Sequence, residues 1–122
     1  MTDLTDFLLA RIAEDEERAH QARGLSGVEN PWWRWQELKQ RFHGLSRADC
    51  QHIERHGPAR VLAECEAKRR IVARFEYRLS MHAELSYAPR NWDDLTRHYY
   101  ETCRDLAAPY AEHPDYDESW RP

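Results

Sequence analysis

From Pro58 to about Ser86 the chain carries no further proline or glycine, its longest stretch free of helix breakers. Gly57 and Pro58 stop the preceding segment and restart it. Proline's ring disfavours α geometry in the residue before it. It fits the first turn of a helix, where the missing N–H would have no partner anyway. A long helix opening at Pro58, capped by Gly57, is therefore expected. Val61, Cys65, Val72, Phe75 and Leu79 fall on one stripe of it, and Ala67, Ile71, Met81 and Leu85 on another. With two apolar flanks the helix should be central and packed on both sides.

The remaining segments read as shorter helices around it. Thr2 or Asp3 can cap a first helix with Leu4, Phe7, Leu8, Ile12 and Ala19 at helical spacing, stopped by Gly24 and carrying Glu14, Asp15, Glu16 and Glu17 on its outer face. Asn30 and Pro31 open a second, with Trp32, Trp35, Leu38 and Phe42 along one stripe. Ser46 followed by Asp49 has the form of a capping box, opening a brief helix to about His56. Asn91 is expected to cap the last, with Trp92, Leu95, Tyr99, Cys103 and Leu106 on one face and an end at Ala108 before Pro109. The fold class is all-α: a small helical bundle of four to five helices, residues 1–122 forming a single helical domain with one core.

After the last helix comes PYAEHPDYDESWRP, where Tyr110, Tyr116 and Trp120 stand among Pro109, Pro114 and Pro122. Bulky rings and fixed-φ prolines lower the entropy cost of ordering a terminus. The tail is expected to fold back as a clasp, its three rings against the last helix and the central helix.

Two blocks of the chain carry a resemblance. HIERHGPARVLAECEAKRRIV, residues 52–72, and LAAPYAEHPDYDESWRP, residues 106–122, resemble a family of short uncharacterised actinobacterial and actinophage proteins, a domain of unknown function. Its blocks read approximately HIARHDPARVLAEVEAKRRI and LALPYADHPDYREEWRP. The opening FLLARIAEDEERA resembles the family's N-terminal helix. The middle departs: many members have a hairpin-like segment where WWRWQELKQRF reads here as helix. Many also carry cysteine pairs resembling a zinc site where RFEYRLSMHAELSYAPRNWDDL has none. A family zinc site therefore does not carry over, and the resemblance implies a context without an activity.

Charge and cysteine content narrow the function. Eighteen Lys and Arg against 22 Asp and Glu give a net charge of -4, so nucleic acid would need a local basic patch. The three cysteines form no CxxC pair and no apolar leader segment opens the chain, which points to a reduced cytoplasmic protein. No stretch approaches the roughly 18 apolar residues of a membrane span.

Three site readings compete. Asp49, His52 and His56, at i, i+3 and i+7, could offer ligands to Zn²⁺, although His56 also suits a helix C-terminus and HIERH lacks the glutamate of a zinc protease. Lys68, Arg69, Arg70 and Arg74 make the central helix basic and could face nucleic acid; exposed pairing with Glu14 to Glu17 is the plainer reading. Adjacent Trp32 and Trp33 cannot both be buried by one helix, so the exposed ring, with Arg34 and Arg41, is the expected anchor for a protein partner. Cys103 shares the apolar stripe of its helix and is expected in the core, whereas Cys50 reads as a surface thiol. No glycine-rich phosphate loop is present, and no cofactor is expected. The leading reading is a non-enzymatic interaction or accessory protein.

Overall fold

The structure is a computed structural model, and it describes residues 3–24, 43–84 and 89–122. The fold is all-α. Among the described residues there are four α-helices, α1 (Leu4–Gly24), α2 (Arg47–Arg55), α3 (Pro58–Glu84) and α4 (Asp94–Ala107), with 3₁₀ turns at Pro89–Asn91, Ala108–Tyr110 and Glu118–Trp120. The helix expected over residues 31–42 lies outside the described residues, together with Trp32, Trp33, Arg34 and Arg41.

Length alone suggests one core; the chain falls into two compact units, Met1–Ala13 with Glu66–Pro122, and Glu14–Cys65.

The first unit is built on rings. Leu4, Phe7, Leu8 and Ile12 of α1 are buried, as are Val72 and Phe75 of α3, and Cys103 and Ala107 of α4. Asp3 caps α1: its carboxylate accepts the Asp6 N–H at 2.8 Å and its carbonyl the Phe7 N–H at 3.0 Å. At spacings of three and four, Leu4, Phe7, Leu8 and Ile12 all come onto the inward face.

The last helix is capped two residues later than expected. Asn91 lies in a 3₁₀ turn, and Asp93 is the cap, its carboxylate accepting the Thr96 N–H at 2.8 Å. Its inward face is correspondingly shifted. Leu95, expected in the core, is 47 % exposed, while Thr96 is fully buried along with Cys103 and Ala107. Polar neighbours satisfy that threonine: Arg78 Nε donates to its hydroxyl at 3.2 Å, and His82 Nε2 lies 2.9 Å from the same oxygen.

The tail packs back in cis, but its centre is Phe7 of α1 and not the last and central helices. Tyr110, His113, Tyr116 and Trp120 place their rings 6.3, 5.7, 5.9 and 5.1 Å from the Phe7 ring. The three closest to perpendicular are Tyr110, His113 and Tyr116, an arrangement that sets positive ring edges against a negative ring face. The Arg11 guanidinium, one turn along α1, stands 2.8 Å from His113 Nδ1 and 2.6 Å from its Nε2. The last helix holds the tail through its backbone: Arg104 donates to the carbonyls of Trp120, at 3.0 Å, and of Arg121.

Among the described residues of the second unit the buried ones are small. They are Ala19, Cys50, Gly57, Pro58 and Cys65. Ser46 and Asp49 form the expected capping box on α2, with bonds of 3.1 and 2.9 Å. Cys50, expected at the surface, is fully buried, because it and half-buried Ile53 share the one inward face of a helix whose other residues are exposed.

Candidate functional site

Within the first unit, the start of α1, the middle of α3, the residue before the α4 cap and the folded-back tail converge on a cleft of about 410 Å³. Its walls are Phe75 and Leu79 from α3, Trp92 and Tyr100 from the α4 segment, Leu4 from α1 and Trp120 from the tail. Asp3, Thr5 and Asp117 supply its polar groups. Phe75, Trp92 and Tyr100 hold one another edge to face, each pair of centroids 5.7 or 5.8 Å apart, which fixes three of the four rings against one another.

The polar groups are ordered by the backbone. Asp3 Oδ1 accepts the Thr5 hydroxyl at 2.8 Å besides the Asp6 N–H, and Asp117 Oδ1 accepts the Ser119 N–H at 2.9 Å. The Ser119 N–H holds the Asp117 carboxyl below its ordinary value, so it carries its charge at neutral pH.

The Arg78, His82, Asp93 and Thr96 cluster is the other concentration of chemistry-bearing groups in this unit. Arg78 pairs with Asp93 Oδ2, and His82 Nε2 stands 3.9 Å from Asp93 Oδ1. This is not a relay. The same imidazole nitrogen faces both the hydroxyl and the carboxylate, whereas general-base activation needs the acid on the opposite ring nitrogen. Thr96 is also sealed from solvent, so the network's role is to satisfy a buried hydroxyl and tie α3 to the α4 cap. No spacing in the chain announces it, since its members come from separate helices.

Cys103 is in the core, as expected. Burial, with the Glu76 carboxylate adding to it, pushes its thiol up to about 12, far from the thiolate a nucleophile requires.

The three metal-ligand candidates are not brought together. Asp49 is committed to its capping box, with Ser46 holding its carboxyl below the ordinary range, while His52 and His56 pair their exposed rings 4.6 Å apart. Among the described residues no group of three or more His, Cys, Asp and Glu side chains is placed to hold a metal ion.

Nor do Lys68, Arg69, Arg70 and Arg74 form one face. Successive residues turn by about 100° around a helix, so Arg70 and Arg74 share a side from which Lys68 and Arg69 are turned away. Arg70 and Arg74 are exposed and Lys68 and Arg69 half-buried. Arg70 pairs with Glu66 of its own helix at 3.0 Å, and Arg60 with Glu64 at 2.8 Å. Among the described residues no helix is long and apolar enough to cross a membrane.

Over its whole length, residues 1–122, the chain matches the family of unknown function DUF6221, and it belongs to that family. No curated protein and no solved structure matches it.

Proposed function

We propose that this member of a family without a recorded activity is a non-enzymatic interaction protein. Its work is to hold a protein partner, with the aromatic cleft of the first unit as part of the contact face. The observation that carries this reading is the construction of the cleft. The tail returns to supply Trp120 as a wall, and the resulting volume of about 410 Å³ falls in the range of about 300 to 1,000 Å³ typical of ligand pockets. Aromatic residues concentrate where binding energy is concentrated, because a ring gives large contact area with few rotatable bonds. The buried, protonated Cys103 and the sealed Thr96 network support the absence of chemistry here. The Trp32 and Trp33 pair, with Arg34 and Arg41, forms a second anchor in this proposal, and the reduced state suggested by three free cysteines fits cytoplasmic residence in an actinobacterial or phage-infected cell.

Capture of a partner from lysate of the source cell by the immobilised chain tests the reading. Trp92→Leu, and separately the double variant Trp32→Ala with Trp33→Ala, should each lower capture by about tenfold or more, the effect of losing a 2 kcal/mol anchor, while circular dichroism stays helical. Turnover of a substrate that disappears in a folded Cys103→Ala variant would overturn the proposal. Capture that depends on nucleic acid, and falls with log salt as for several phosphate contacts, would do the same.

A further inference from the structure

We infer that the cleft receives a positively charged side chain, arginine or lysine, from the partner, an assignment that rests on reading the cleft as part of the contact face. Its carboxylates are Asp3 and Asp117, and among the described residues that line it there is no Lys, Arg or His. Each carboxylate has one oxygen committed to the backbone, Asp3 Oδ1 to the Asp6 N–H and Asp117 Oδ1 to the Ser119 N–H. Among the described residues neither Oδ2 receives a hydrogen bond. Two oriented acceptors are thus open at the edge of an aromatic cavity.

The alternatives fit worse. An anionic group would meet two carboxylates and, among the described residues of the lining, no base. A neutral apolar chain would strip water from both Oδ2 atoms and return nothing, a cost that burial of unpaired polar atoms always carries. A guanidinium or ammonium group satisfies those oxygens, its methylene stem can lie on Leu4 and Leu79, and its charge is attracted to the ring faces of Trp92 and Trp120. The unit already makes such contacts internally: the Arg11 guanidinium carbon stands 5.2 Å from the Phe7 ring centre and that of Arg104 5.8 Å from Tyr100. Arg104 is spent on the carbonyls of Trp120 and Arg121.

The test uses two probes of one shape, n-butylguanidinium and neutral n-butylurea, titrated into the full-length chain labelled with ¹⁵N. The indole N–H signals of Trp92 and Trp120 are followed, assigned with Trp92→Phe and Trp120→Phe. Butylguanidinium should move both with an affinity about tenfold or more above that of butylurea, the scale of a partly desolvated cation–ring contact. In Asp3→Asn with Asp117→Asn the two probes should converge to within about twofold. Asparagine caps as well as aspartate, so this variant keeps its helices. Equal affinity of the two probes for the unmodified chain would overturn the charge assignment while leaving the cleft a binding site. Silence of both indoles toward both probes, with partner capture intact, would overturn it by removing the cleft from the contact face and would leave the interaction reading standing.

Discussion

Phe7 and Ala19 lie on the same helix and both are buried, yet the described residues of the units they belong to are held by different means. Around Phe7 four rings of the tail converge within 6.3 Å, and each Tyr or Trp so placed removes about 150 to 250 Å² from water. In the unit of Ala19 the buried residues among those described are Cys50, Gly57, Pro58 and Cys65, which have little area to bury. Among the described residues of that unit the devices on view are local: a capping box on α2 and the Arg60–Glu64 pair on α3. The two devices respond differently to mutation. Ring area is lost in proportion to what is removed, whereas a cap or a pair fails singly and at small cost.

The largest effect should come from Phe7→Ala, which takes away the centre of the clasp. Truncating a buried phenylalanine costs about 3 to 5 kcal/mol, a large part of a total of about 5 to 15, and here it also unseats Tyr116 and Trp120. Urea denaturation should show that loss, and deletion of residues 113–122 should approach it, since two buried rings contribute roughly 1.5 to 3 kcal/mol each. If the deletion leaves the melting temperature unchanged, the tail is not the support of the first unit and the comparison collapses.

Much of this frame is legible in the amino-acid sequence, because local chemistry writes it. Gly57 and Pro58 place the start of α3, Gly24 the end of α1, and Ser46 with Asp49 the start of α2, each through backbone effects confined to a few residues. The failures have an equally physical cause. Asn91 and Asp93 are both competent caps, and apolar spacing alone points Leu95 inward, whereas in the structure Asp93 is the cap, Thr96 is buried and Leu95 is exposed. A threonine in the core looks wrong in sequence because Arg78 and His82, which satisfy it, belong to another helix. The docking of the tail on Phe7 depends on partners more than 100 residues apart, as with Arg11 and His113, and no periodicity reaches that far. The cleft is hidden for the same reason, with its walls drawn from four segments. The tryptophan pair at 32 and 33 is visible in sequence and lies outside the described residues.

A smaller effect tests the second unit. Ser46→Ala removes the hydroxyl that accepts the Asp49 N–H at 3.1 Å and should cost about 1 kcal/mol. Its partner makes the unit acid-sensitive. The Ser46 N–H, then the Ser46 side chain, hold the Asp49 carboxyl below its ordinary value. A depressed folded-state value means the contribution is fully present above the ordinary carboxylate range of about 4 and is lost as pH falls through the lower, folded one. Asp49→Asn keeps a side-chain acceptor without the charge. It should therefore narrow the drop in melting temperature measured between neutral pH and about pH 3; an unchanged drop would assign the acid sensitivity to other carboxylates.

The smallest effect should have the opposite sign. Tyr116 packs edge-on against Phe7 at 5.9 Å and against Trp120 at 5.5 Å, and among the described residues its buried hydroxyl oxygen has no hydrogen-bond partner. A hydroxyl taken out of water and left unbonded costs about 1 to 3 kcal/mol in a fully buried site, and Tyr116, at 9 % exposure, is near that limit. Tyr116→Phe keeps both ring contacts and removes only the oxygen. It should raise stability by about 0.5 to 1 kcal/mol, read as a higher urea midpoint at unchanged slope. Deleting one hydroxyl oxygen would then stabilise the ring cluster around Phe7 and, at Ser46, destabilise the capped start of α2. A loss of stability in Tyr116→Phe would mean that the hydroxyl is bonded in the folded protein, making the clasp partly a polar device and erasing that contrast.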